Sequence, residues 1–235
     1  MPSNESSITT GAAASAMPAL QGIHVPSLTF FSESPKQEID WPTQTKHLQF
    51  LISSGIHGVV LAGTNGEAIT LSRSEKADLV RATRKAANDL GKNSFPISLG
   101  TSGTSTRDVI DDCVTAKEAG ADFALVLVPS FFHFAMTKDA ICDFFEEVAD
   151  ASPVPVVIYN FPGVAAGLNV DSTMLDRLAK HQNIVGVKVG QSGQYRRRLH
   201  EKLTINLAHL RWHCESHSTF SNLSDIHILR SCWAK

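Results

Sequence analysis

The 235-residue sequence has no long hydrophobic run and no strong excess of charge of either sign. Its longest candidate run, FALVLVPSFF, is about half of the ~20 residues that a membrane-spanning helix needs, and it contains a proline. The formal net charge of -2 excludes a general electrostatic attraction to nucleic acid or to an anionic membrane. We therefore expect a soluble globular protein with neither kind of partner.

Cysteines and histidines are present, but their spacing is not that of a disulfide framework or a metal site. The four cysteines include no C-x-x-C pair, which indicates free thiols in a reducing compartment. The dispersed histidines have no H-x-H or H-E-x-x-H spacing, so we expect no bound metal. Residues 1–20 contain no Lys or Arg, which argues against a secretory or mitochondrial leader. We expect a disordered tail over residues 1–20 and a cytoplasmic location.

The middle of the chain alternates short apolar runs with amphipathic segments. Runs without a period of two are typical of strands buried on both faces. Three of the amphipathic segments begin with helix-capping signals, at Ser72 with Glu75, at Ser105 with Asp108, and at Asp171. The predicted strands cover residues 22–31, 58–63, 95–100, 123–128, 154–160 and 183–189.

Strands separated by helices at this spacing form parallel βαβ units, in either a doubly wound sheet or a (β/α)8 barrel. A doubly wound dinucleotide-binding fold predicts a G-x-G-x-x-G turn after the first strand, and the sequence has none there. We therefore predict an α/β protein in which residues 21–188 form an incomplete (β/α)8 TIM barrel of about six βα units.

Three reactive side chains fall at the ends of predicted strands, where barrel enzymes collect their active sites. Lys188 follows the buried run NIVGV, so we expect partial desolvation to lower its pKa and to leave free amine that can attack a carbonyl. Tyr159 either fills the barrel interior with its ring or carries protons with its phenol. Thr64 and Asn65 either cap the next segment or form a backbone nest for a carboxylate.

The segments GTNGEAITLSRSEK, YNFPG and IVGVK carry a resemblance to a known superfamily. They resemble the GTTGE, YNxP and lysine-strand motifs of the dihydrodipicolinate synthase / N-acetylneuraminate lyase superfamily, whose members are Schiff-base-forming (β/α)8 enzymes that use or release pyruvate. The resemblance implies that Lys188 forms a covalent imine with the substrate without a cofactor or metal, and that Tyr159 shuttles protons. It also implies that Thr64 and Asn65 bind the pyruvyl carboxylate, and that Gly186 keeps space beside the imine.

Two departures from the superfamily pattern narrow the expected activity. Dihydrodipicolinate synthases carry an Arg where this chain has Val164, and a Tyr donated across a subunit interface where it has Phe131. Without the Arg, the carboxylate of a second substrate has no ionic partner. The asparagine of GTNGE and the segment YNFPG resemble eukaryotic aldolases that cleave 4-hydroxy-2-oxoglutarate or 2-keto-3-deoxy sugar acids. The resemblance therefore implies a lyase that cleaves such a 2-oxo acid to pyruvate and an aldehyde, with a synthase or dehydratase on pyruvate as the alternative. The resemblance also implies a homo-oligomer.

The segment after Lys188 does not follow the superfamily pattern. Residues 189–235 contain half of the ten histidines and one possible amphipathic helix, and Arg196 to Arg198 are interpreted as a solvated helix end. Six strands cannot close a barrel that needs eight. A second hypothesis is therefore a truncated chain, altered after Lys188, with no activity of its own.

Overall fold

The computed structural model describes residues 20–190, which form one parallel sheet of six strands with helices on its outer face. The strands lie in chain order from β1 to β6, and neighbouring strands are parallel throughout. The strands are β1 His24–Pro26, β2 Gly58–Leu61, β3 Ile97–Thr101, β4 Phe123–Leu127, β5 Val156–Asn160 and β6 Ile184–Val189. The helices are α1 Trp41–Ser53, α2 Arg73–Asp89, α3 Thr106–Ala119, α4 Lys138–Ala151 and α5 Ser172–Leu178. This arrangement is a half-barrel, which confirms the prediction of an incomplete TIM barrel.

Apolar side chains pack on both faces of this sheet, as the uninterrupted apolar runs predict. On the outer face, one buried cluster joins α3, α4 and α5 to the later strands, and a second joins α1 and α2 to the earlier ones. On the inner face, Val60, Phe123, Leu125, Val157 and Tyr159 form a third cluster. The inner face of a barrel is thus already built by the described strands.

The predicted helix starts are confirmed by their hydrogen bonds. Ser72 and Glu75 form a reciprocal capping box at the start of α2. The Ser105 side chain accepts from the Asp108 amide, and the Asp171 carboxylate accepts from the first amides of α5. These caps satisfy N–H groups that lack partners within the helix, so each βα loop ends at a defined residue.

The first strand is shorter than the predicted 22–31, because the chain leaves the sheet after Pro26. Gln44 of α1, which is fully buried, supplies the backbone partners that the sheet no longer provides. Its Oε1 accepts from the Phe30 amide at 3.0 Å, and its Nε2 donates to the Leu28 carbonyl at 3.2 Å. Buried backbone groups need such partners, so one polar side chain lets residues 27–31 cross the end of the barrel.

The expectations for the N-terminal tail, for the segment after residue 190 and for Arg196 to Arg198 lie outside the described residues. Among residues 20–190, none of the helices combines the length and apolar character needed to cross a bilayer.

Candidate active site

Three strand ends bring the predicted reactive groups together. Tyr159 on β5 and Lys188 on β6 are register partners on neighbouring strands. The Lys188 Nζ lies 4.1 Å from the centroid of the Tyr159 ring. Thr64, which follows β2, shares a hydrogen bond with Tyr159: Oγ1 and the phenol oxygen are 3.1 Å apart. An amine, a phenol and a hydroxyl thus form one cluster at the C-terminal end of the sheet.

Lys188 is half-buried. Gly186, two residues earlier on β6, pairs with Val157 of β5, which belongs to the inner cluster. Residues two apart on a strand share a face, so Gly186 and Lys188 both face the barrel interior. Gly186 is buried and adds no side chain below the lysine. The position of Gly186 fits its predicted role of keeping space beside the amine, and that role stays a prediction.

Tyr159 is 6% exposed, and its ring is held by packing on several sides. The ring of Phe161, the variable residue of YNFPG, lies 5.8 Å from it, measured between centroids. Phe161 in turn packs against Gly190, where an added Cβ would lie 2.5 Å from the Phe161 ring. Sequence reasoning did not identify Phe161 as part of the site; an aromatic residue directly after a functional strand end was the available signal.

The turn after β2 carries the candidate carboxylate-binding groups. Residues Thr64–Gly66 form a short 3₁₀ turn, in which the Gly66 and Ala68 amides donate to the Gly63 carbonyl at 3.0 and 3.2 Å. The first amides of such a turn have no partner within it and point out of its N-terminal end. Thr64 and Asn65 are exposed there, and their amides are suited to an anion. Glu67, the residue after this turn, has a left-handed backbone conformation with a φ of 54°.

The end of β2 is shaped by a backbone conformation that the sequence does not reveal. Ala62 has a positive φ of 47°, which is rare for a residue with a side chain and is common at functional sites. This conformation directs the Ala62 carbonyl at Gly100 of β3, where any added Cβ would clash with it. A glycine inside a predicted strand is the sequence signal for such a close approach.

The two departures noted in the sequence lie in the loops at the same end of the sheet. Val164, in the loop after β5, and Phe131, in the loop after β4, are both exposed. Phe131 belongs to an aromatic group with Phe132 and Phe134, and adjacent rings in this group lie 4.9 and 6.3 Å apart. The three side chains are 69%, 55% and 79% exposed, so together they form an apolar surface patch.

Two of the described histidines, His24 and His181, have defined surroundings away from the strand-end cluster. Burial lowers the pKa of His24 on β1 to about 4, so this side chain is neutral at pH 7. His181, which follows α5, pairs with Asp150 of α4 at 2.9 Å. Over residues 20–190, no three His, Cys, Asp or Glu side chains come together as a group that could hold a metal ion.

Known proteins resemble this chain in sequence and in fold. A probable mitochondrial 4-hydroxy-2-oxoglutarate aldolase of Emericella nidulans is 42% identical over 182 residues, which cover 77% of this chain and 58% of that protein. An L-threo-3-deoxy-hexylosonate aldolase of Aspergillus niger is 40% identical over 172 residues, which cover 73% of this chain and 51% of that protein. The chain thus spans about half the length of these relatives.

A solved structure has the same fold. The dihydrodipicolinate synthase of Acinetobacter baumannii, crystallised with pyruvate, superposes with a TM-score of 0.66 at 32% identity and covers 73% of this chain and 56% of its own. The model of the dihydrodipicolinate synthetase family matches residues 19–217. Because this match covers most of the chain, and because the fold and the strand-end motifs agree with it, the chain belongs to the dihydrodipicolinate synthetase family.

Proposed function

We propose that this chain carries the site of a class I aldolase, which cleaves a 2-oxo-3-deoxy acid to pyruvate and an aldehyde through an imine on Lys188. The observation that carries the proposal is the cluster of an amine, a phenol and a hydroxyl, with the Lys188 Nζ 4.1 Å from the Tyr159 ring centroid and Thr64 3.1 Å from the phenol oxygen. The relatives are named as aldolases, and one relative was crystallised with pyruvate.

The first step joins the lysine to the substrate. The neutral Lys188 amine attacks the C2 carbonyl carbon and gives a carbinolamine, which loses water to form a protonated imine. The phenol of Tyr159 gives a proton to the departing oxygen and recovers one later, and Thr64 holds the phenol in place. The water that leaves in this step is returned when the product imine is hydrolysed.

The second step breaks the carbon–carbon bond. The C4 hydroxyl loses its proton to the Tyr159 phenolate, the C3–C4 bond breaks, and its electron pair moves to C3 and into the imine to give an enamine. The aldehyde leaves from C4. Protonation at C3 and hydrolysis then release pyruvate and the free amine, so the net reaction consumes no cofactor or metal.

The substrate carboxylate is assigned to the turn after β2. The amides of Thr64 and Asn65 stand at the open end of a 3₁₀ turn next to the phenol, which suits an anion adjacent to the carbonyl under attack. On the distal side, Val164 gives an acidic second substrate no ionic partner. This favours cleavage of a 2-keto-3-deoxy sugar acid, whose aldehyde product is uncharged, over condensation of pyruvate with an acidic aldehyde. Cleavage of 4-hydroxy-2-oxoglutarate is proposed beside it on the name of a relative.

Covalent trapping tests this function at the site itself. The dilute chain is incubated with pyruvate and borohydride, and the peptide containing Lys188 should gain the mass of a reduced pyruvyl group. Lys188→Ala should abolish the labelling, whereas Lys85→Ala, at a 76% exposed surface lysine, should leave it unchanged. Labelling at another lysine, or labelling that survives Lys188→Ala, contradicts the proposal.

The same trap distinguishes the substrates. With 4-hydroxy-2-oxoglutarate or 2-keto-3-deoxy-L-galactonate in place of pyruvate, cleavage should leave the reduced pyruvyl adduct on Lys188. Retention of the intact substrate mass shows an imine that does not cleave. In a parallel reaction without borohydride, condensation of pyruvate with aspartate semialdehyde supports the synthase alternative instead.

The partner proposed for the chain is a second copy of itself. The exposed patch of Phe131, Phe132 and Phe134 is the kind of surface that is buried on association. Phe131→Ser with Phe134→Ser should lower the mass measured by light scattering, whereas Phe50→Ser, at a 67% exposed phenylalanine of α1, should not. An unchanged mass in the double variant contradicts this interface.

A cytoplasmic location is proposed from the cysteines, whose spacing indicates free thiols in a reducing compartment, although one relative is named as mitochondrial. Imaging of the full chain with a C-terminal fluorescent tag tests it, and co-localisation with mitochondria contradicts it.

A further inference from the structure

The turn after β2 is supported from behind by the segment that follows β1. The hydroxyl of Thr29, which is 9% exposed, donates to the Gly66 carbonyl oxygen at 2.7 Å across 37 residues of sequence. Gly66 ends the 3₁₀ turn that begins with Thr64. We propose that Thr29 is a positioning residue for the carboxylate-binding turn, an inference that rests on the function proposed above.

The contact between the two segments is close. A Cβ added at Gly66 would lie 2.9 Å from the Ser27 carbonyl oxygen, so the turn packs directly against the backbone of residues 27–29. The Ser27 amide donates to the Val60 carbonyl at 2.9 Å, which ties the start of this segment to β2. The fully buried Gln44 holds its other end through Leu28 and Phe30. The base on which the turn rests is therefore fixed on both sides of Thr29.

The hydrogen bond from Thr29 holds a peptide group next to a residue in a disfavoured backbone conformation. The Gly66 carbonyl belongs to the peptide that precedes Glu67, and Glu67 has the left-handed φ of 54°. A residue with a side chain adopts this region only when its surroundings compensate for the cost. By accepting the Thr29 hydroxyl proton, the Gly66 carbonyl is held in the orientation that this conformation requires.

Loss of the Thr29 hydrogen bond should change the substrate-binding end of the turn. If the 66–67 peptide rotates, the 3₁₀ turn loosens, and the amides of Thr64 and Asn65 lose their common direction. The hydroxyl of Thr64 also loses its fixed position at Tyr159. Thr29 thus acts through the turn, and it sets how well the carboxylate is bound before the amine attacks.

Thr29→Val tests the proposal, because valine has nearly the shape of threonine and lacks the hydroxyl. Thr83→Val is the matched control: Thr83 of α2 is fully buried and also donates to a carbonyl at 2.7 Å, that of Leu79. The pyruvate concentration that half-saturates labelling at Lys188 should rise about 5- to 10-fold in Thr29→Val, as expected for one lost hydrogen bond, at unchanged maximal labelling. Thr29→Ser should restore the wild-type value, and Thr83→Val should not change it.

Hydrogen–deuterium exchange of the same variants gives a readout that does not depend on labelling. Exchange of the amides of residues 66–68 should be faster in Thr29→Val than in the wild type, Thr29→Ser or Thr83→Val. If Thr29→Val leaves both half-saturation and exchange unchanged, the positioning role is wrong and the aldolase proposal stands. If the wild type shows no labelling at Lys188, the aldolase proposal is wrong, and the exchange data alone decide whether Thr29 holds the turn.

Discussion

Replacing Tyr159 with phenylalanine removes one oxygen atom from the centre of the proposed site and leaves its packing in place. The ring is almost completely buried, with Phe161 5.8 Å away and the Lys188 Nζ 4.1 Å from its centroid. None of these ring contacts involves the phenol oxygen. That oxygen has its hydrogen bond to Thr64, at 3.1 Å.

Two different magnitudes follow from this geometry. Loss of one hydrogen bond should lower the free energy of unfolding by about 1 kcal/mol or less, because Thr64 is an exposed residue and its side chain can bond to water instead. Loss of a proton carrier should slow imine formation by about 10²- to 10⁴-fold, equivalent to roughly 3–5 kcal/mol in the activation free energy. The effect on rate should therefore far exceed the effect on stability.

A rapid-quench experiment separates the two effects. The chain is mixed with pyruvate for increasing times and quenched in borohydride, and mass spectrometry follows the label on Lys188. Tyr159→Phe should label slowly at an almost unchanged unfolding midpoint in urea. Thr83→Val, which removes a buried hydroxyl of α2 outside the strand-end cluster, is the control, and it should label at the wild-type rate. Wild-type labelling kinetics in Tyr159→Phe would show that Tyr159 is a packing residue and that another group carries the protons.

Three further predictions concern stability and aggregation. Asp112→Asn should lower the free energy of unfolding, measured by urea titration, by about 3–5 kcal/mol, because it breaks a buried ion pair with Lys76. Asp89→Asn, which breaks an exposed ion pair with Lys85, should lower it by less than about 1 kcal/mol. The pKa of His24 is 6.5 in the unfolded chain and about 4 in the fold, where the side chain is buried. As the pH is lowered, the unfolded state therefore takes up the proton first, and the free energy of unfolding decreases. The loss from pH 7 to pH 5 should be about 2 kcal/mol and smaller in His24→Gln; equal losses would contradict it. Because β1 and β6 each have an open edge among residues 20–190, the 235-residue chain should aggregate with rising concentration and turn over slowly, and a monodisperse chain with normal turnover would contradict this.

Much of the fold follows from local signals in the sequence. Apolar runs without a period of two are found as central strands, and the capping residues Ser72, Ser105 and Asp171 begin their helices as predicted. Such signals are reliable because a cap or a buried strand depends on residues within a few positions of each other. The first strand is shorter than its apolar run predicts, because its end depends on Gln44, a side chain of the following helix.

The sequence by itself also determined which side chains lie at strand ends, and so it identified Lys188, Tyr159 and Thr64 as candidates. Only the tertiary structure decided that they meet, because β2 and β5 are separated by two strands and the curvature of the sheet closes the distance between residues 95 apart. The left-handed Ala62 against Gly100 and the bond from Thr29 to Gly66 arise in the same way. These features depend on how segments distant in sequence approach each other. A glycine such as Gly100 can signal a close approach, but no local pattern identifies the segment that approaches it.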